Sequence, residues 1–102
     1  MVPLPEPYRR FQEEYAQVWR AYDALGSAAH GAGPLDERSR ALVKLGIAIG
    51  AQHEGAVHSH VRKALDAGVS KDEIRHAALL AVTTLGFPAM MAALTWVEDM
   101  LK

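Results

Sequence analysis

Tyr8, Phe11, Tyr15, Val18, Tyr22 and Leu25 are spaced 3, 4, 3, 4 and 3 residues apart. That is the repeat of a helix buried along one face. No stretch of the chain alternates apolar and polar residues with period two over a useful length, so nothing reads as a strand. The spacing predicts an amphipathic helix over 6–25. Trp19 beside the stripe makes it aromatic, and such stripes usually pack against other helices or a neighbouring subunit rather than hold a cofactor.

The small-residue run GSAAHGAGP at 26–34 reads as a loop containing a solvated His30. A second helix is expected over 36–50, with Asp36 as N-cap, and Gly50 ends or bends it. The segment AQHEGAVHSH at 51–60 then opens a third helix, which Gly68 stops near residue 67. The sharpest local signal is VSKDEI at 69–74. Ser70 and Glu73 have the spacing of a capping box, and Val69 can staple onto Ile74. A fourth helix follows, apolar all round from Ala77 to Val82, which predicts burial on several sides. GFP at 86–88 breaks it, and Pro88 starts a last helix carrying Met90, Leu94, Val97 and Leu101. The fold expected is all-α, with about five helices in a single domain over 1–102.

A chain of 102 residues that is 50% hydrophobic is apolar for its size. Small domains have much surface to cover, so the surplus predicts a homo-oligomer. A formal charge of −1 with interleaved signs leaves no footprint for nucleic acid. No apolar run is long enough to span a membrane, and MVPLPEPYRR lacks the apolar core of a secretory leader. A cytoplasmic protein is expected. With no cysteine, a disulfide framework, a thiolate metal site and a cysteine nucleophile are excluded.

Three of the five histidines lie in AQHEGAVHSH. With His53 at zero on a helix, Glu54 falls at about 100°, His58 at about 140° and His60 at about 340°. His53 and His60 therefore share one face, and Glu54 and His58 share another. The second pair has the one-turn spacing of helical metal ligands, as in HExxH, but two ligands do not close a site. His53 and His60 stand roughly 10 Å apart along the axis, far for one ion. Acid–base work asks only for one reachable histidine in a pocket. Ordinary roles stay open beside both: a solvated Glu54–His58 pair and a packing His60.

The ordered run SRALVKLGIAIG, the histidine segment, HVRKALDAGVSKDEI and LGFPAMMAAL resembles the carboxymuconolactone decarboxylase and alkylhydroperoxidase D superfamily. His60, Ala64, Gly68, Val69, Ser70, Glu73 and Ile74 match its "HxxxAxxxGvs.eEI" pattern, and Gly86, Pro88 and Ala89 match a following "GvPaa" break. The peroxidase branch has a CxxC pair where this chain has His53 and Ala56, and a relay glutamate where it has Ala41. Thiol peroxidase chemistry needs a thiolate to attack and a thiol to resolve the product, so that activity is excluded. The cysteine-free branch resembles the gamma-carboxymuconolactone decarboxylases. That resemblance implies loss of carbon dioxide from a lactone acid and protonation of the resulting carbanion, without metal or organic cofactor.

On the resemblance, residues 1–34 are an N-terminal helix and loop and 35–102 the family core. The subunits intertwine into trimers or hexamers. His60 is the candidate acid, His58 and His53 assist it, and Arg40 pairs with the substrate carboxylate. The expected function is acid–base chemistry of carboxy-lyase type on a small carboxylated lactone or related molecule. The alternative is a non-catalytic oligomer that binds a small ligand or a metal, with Glu54 and His58 among the ligands.

Overall fold

The computed structural model describes residues 3–102; Met1 and Val2, at the start of the expected 1–34 segment, lie outside the described residues. Among the described residues there are seven helical segments and no strand. They fall into two compact units that divide between Leu35 and Asp36.

In the first unit, α1 spans Glu6–Glu14 and α2 spans Ala16–His30. The single helix expected over 6–25 is broken at Tyr15, whose φ of −124° and ψ of 52° lie outside the helical region. The expected loop is also shorter, because α2 runs on through GSAAH to His30. Alanine is the best helix former, and one glycine costs about 1 kcal/mol, too little to stop the helix. The stripe expected to be buried along one face is not buried: Tyr15, Val18, Tyr22 and Leu25 are exposed, and its rings meet one another instead. Tyr8 meets Trp19 edge-on at 5.5 Å, and Phe11 lies 5.6 Å from Tyr15.

The second unit holds α3 (Glu37–Gly50), α4 (Glu54–Asp66), α5 (Lys71–Leu79), α6 (Ala81–Thr84) and α7 (Phe87–Leu101). Their ends are set as the sequence predicts. Asp36 caps α3 by accepting from the Ser39 N–H at 2.8 Å. Gly68, at φ +87°, takes the left-handed conformation that ends α4. Ser70 and Glu73 form the full capping box of α5 at 3.0 and 2.8 Å. Glycine is required again before α7, where Gly86 has φ 100° and ψ 163°, a region closed to side chains. The fourth expected helix is interrupted at Leu80, which separates α5 from α6.

Helix α4 lies between α3 and α7. Val57, Val61 and Ala64, at spacings of 4 and 3, are fully buried against Leu45 and Ile49 of α3 and Met90, Ala93 and Val97 of α7. Ile74 and Ala78 bring α5 onto the same core. Two ion pairs between helices sit at its rim. The Arg75 guanidinium forks onto Glu98 at 2.8 and 3.1 Å, tying α5 to α7. Arg38 donates to Glu73 at 2.6 Å and to the Gly68 carbonyl at 2.8 Å, tying α3 to α5.

A second expectation about burial, in the second unit, is also corrected. Leu79 and Leu80 lie within the stretch expected to be buried all round, yet they are 49% and 59% exposed. They share this exposure with Val43, Ile47, Leu85, Phe87 and Met91. The segment is apolar on every side, but these helices cover only its Ala78 and Ala81 face. No helix among the described residues is long and apolar enough to cross a membrane.

The fully buried Leu45 touches the centre of this packing, so Leu45→Ala is expected to cost about 2–5 kcal/mol. Urea unfolding followed by circular dichroism measures it, and a loss well under 1 kcal/mol would show that α3 does not anchor the core.

Candidate functional site

The connection from α3 to α4 determines where the histidines lie. Gly50 closes α3, Ala51 caps it, and Gln52 turns the chain with φ +54°, the only positive φ outside glycine among the described residues. His53 is then extended and is the N-cap of α4: its Nδ1 accepts the Ala56 N–H at 3.1 Å. The ring is thus committed to its own helix, and Nδ1 must be unprotonated to accept. A helical wheel that starts at His53 therefore overstates its kinship with His60, because His53 lies outside the helix.

His58 points to the other side. Its Nε2 is 3.1 Å from Oδ2 of Asp99 on α7 and 3.9 Å from Oε2 of Glu54 one turn earlier. The Glu54–His58 proximity was visible in the spacing. Asp99 was not, because it lies 41 residues away and comes near only when α7 packs beside α4.

His60 is half-buried on α4. Burial, followed by the positive charges of Lys63, Lys44 and Arg62, pushes its pKa down to about 4. Its imidazole is therefore neutral at pH 7, with one N–H and one lone pair. Lys63 is lowered as well, first by desolvation and then by Lys44 and Arg62. Arg62 is 7% exposed, and its guanidinium has one long hydrogen bond, to Ser59 Oγ at 3.4 Å. No carboxylate among the described residues pairs with it. A buried guanidinium without an anion is costly, and sequence reading passed over it because it looked like one more helix cation. Arg40 is half-buried near the start of α3, where its charge, with that of Arg38, helps hold the Asp36 carboxyl below its usual range; the larger cause is the hydrogen bond from Ser39.

An open groove of about 520 Å³ lies between α3, α5 and α6. Leu42, Val43, Ile49, Ala77, Leu80 and Leu85 give it apolar walls, and Glu73, His76 and Thr84 are its polar points. His53, His58, His60 and Arg40 do not line it. His76 was missed, although its place three residues after Glu73 puts both on one face of α5. Glu73 is engaged by Ser70 and Arg38, and the Ser70 N–H hydrogen bond first among these lowers its pKa.

These features define a class: a small, cysteine-free helical protein with histidines on a helix packed between two others, suited to proton transfer or ligation and not to thiol redox chemistry. The chain belongs to the carboxymuconolactone decarboxylase family, whose model matches residues 15–99. No curated protein and no solved structure matches it.

His53→Ala removes the only side-chain cap of α4, and cap loss typically costs about 1 kcal/mol. A fall in melting temperature with unchanged helix content at 20 °C is expected; an unchanged melting temperature would mean the cap is idle.

Proposed function

We propose that this chain is an acid–base member of the family, acting on a small carboxylated lactone or related molecule by decarboxylation followed by protonation, without thiol chemistry. The observation that carries the reading is the half-buried His60 with Lys44, Lys63 and the carboxylate-free Arg62 close enough for their charges to act on it. A substrate carboxylate is the anion that the buried Arg62 guanidinium lacks among the described residues. A neutral imidazole suits the proton step, because it can give up its N–H at one nitrogen while taking a proton at the other. The cations oppose build-up of charge on the ring, so the proton passes through it and does not rest there. As carbon dioxide leaves, the same cations stabilise the negative charge left on the substrate. Arg40, His58 and His53 have supporting places in the proposal. Within it, Arg40 is a second anion contact, and His58, beside Asp99, and the capping His53 hold α4 in position.

The oligomer belongs to the same proposal. Val43 and Ile47 on α3, Leu79 and Leu80 at the end of α5, and Phe87 and Met91 on α7 are exposed apolar side chains. A face of this kind calls for a partner, and copies of this chain, as a trimer or hexamer, are the occupant proposed. A cytoplasmic setting completes the reading. Ile47→Glu, with Ile47 66% exposed, is expected to lower the mass measured by light scattering without loss of helix. An unchanged mass would remove this face from the interface.

A second reading rests on the groove. None of the three clustered histidines lines it, so a small apolar ligand seated there would meet Glu73 and His76 and need undergo no reaction. Carbon dioxide release from carboxylated unsaturated lactones separates the two. In the acid–base reading, His60→Ala lowers the rate by roughly 10²–10⁴-fold, and Arg62→Met weakens substrate binding. Full activity of His60→Ala would remove the proposed proton-transfer group. No turnover by the unaltered chain, combined with binding that His76→Ala abolishes, would favour the groove.

A further inference from the structure

Glu54, His58 and Asp99 offer one donor atom each, and all three atoms lie within 4.8 Å of one another. As an ion pair the arrangement is unbalanced. Both carboxylates converge on the same atom, His58 Nε2, at 3.1 and 3.9 Å, and that atom has room for one proton or one lone pair. A single N–H cannot serve two carboxylates on separate lines, and the carboxylates repel each other across the gap. A divalent cation resolves the conflict, since it accepts from the imidazole and both carboxylates together.

We propose that Glu54, His58 and Asp99 bind one divalent first-row transition-metal ion, bridging the first two turns of α4 to the last turn of α7. Donors bound at 2.0–2.2 Å to such an ion stand roughly 3–3.6 Å apart. The His58–Asp99 distance already meets this, and a small rotation of Glu54, whose side chain is 58% exposed, closes the rest. The backbone positions of His58 and Asp99 are fixed by the core: the fully buried Val57 precedes His58, and the buried Val97 and Leu101 flank Asp99. One imidazole and two carboxylates suit Zn2+, Mn2+, Fe2+ or Co2+, whereas Ca2+ prefers oxygen alone and Cu+ prefers sulfur. Three protein donors leave the remaining positions to water, as in open metal sites. The ligands are not groove-lining residues, and the inference does not depend on the acid–base reading.

Titration of the untagged full chain with Zn2+ alone, followed by calorimetry, tests the site, with Co2+ as a spectroscopic probe. One equivalent is expected to bind, with a visible Co2+ absorption of low-symmetry coordination and a higher melting temperature. Asp99→Asn and Glu54→Gln, near-isosteric changes at exposed positions, should each weaken binding by about tenfold or more, and His58→Gln should abolish the Co2+ spectrum. His76→Gln should leave all three readouts unchanged. Absence of saturable one-equivalent binding would overturn the proposal. So would an affinity unmoved by both Asp99→Asn and Glu54→Gln in variants whose circular dichroism matches the parent chain.

Discussion

The burial of Val57, Val61 and Ala64 between α3 and α7 is the constraint on which the rest of the second unit depends. Side chains this small let two helices close on α4 from both sides, and once they do, α4 can neither rotate nor slide. Every other residue of the helix then has an assigned direction. His58 must face α7, where Asp99 meets it. His60 and Lys63, one turn apart, must share a different side, which keeps the Lys63 charge within reach of the His60 ring. Arg62 is carried into a nearly solvent-free position that its charge alone would never select. The cost of that burial is met by the apolar stripe, because no carboxylate of the described residues meets it.

The same constraint explains why the apolar face of α3, α5 and α6 is left open. With α4 and α7 occupying one side of α3, its Val43 and Ile47 point elsewhere, and only the short α5–α6 segment lies nearby to form the groove. The five helices of this unit do not wrap a surface of that size. Fold and surplus hydrophobicity are therefore two aspects of one fact: the helices of this unit carry more apolar surface than they cover among themselves.

Helix ends in the second unit were legible because each is decided within a few residues. Asp36, the Ser70–Glu73 box, Gly68 and the GFP break act through bonds to near neighbours or through φ alone, and a reader of the sequence has all the participants in view. The family resemblance was legible for the same reason, since its motif is the local pattern from His60 to Ile74. The break at Tyr15 carried no such mark, and neither did the extension of α2 through Gly26. The histidines were half legible. Spacing placed Glu54 beside His58, but their third partner came from α7, and the capping role of His53 could be known only once Gln52 had turned the chain. Arg62 and His76 were passed over because burial and groove exposure are properties of the packed unit. Leu79 and Leu80 were misjudged because hydrophobicity reveals a preference for cover, not whether one chain supplies it.

The joint at Gln52 and His53 also sets a local rhythm of opening. An imidazole caps with a single lone pair in a fixed plane, so His53 serves the Ala56 N–H and leaves those of Glu54 and Gly55 to water. From Val57 onward, by contrast, the amides are bonded within the helix, and the face carrying Val57, Val61 and Ala64 is shielded by the core. In terms of amide exchange, α4 is two bodies: a first turn that frays in the native state and a remainder that opens only when α3 and α7 let go. Glu54 belongs to the fraying turn, while His58 and His60 belong to the protected one. The acidic and imidazole groups of this segment therefore experience different lifetimes although they are neighbours in sequence.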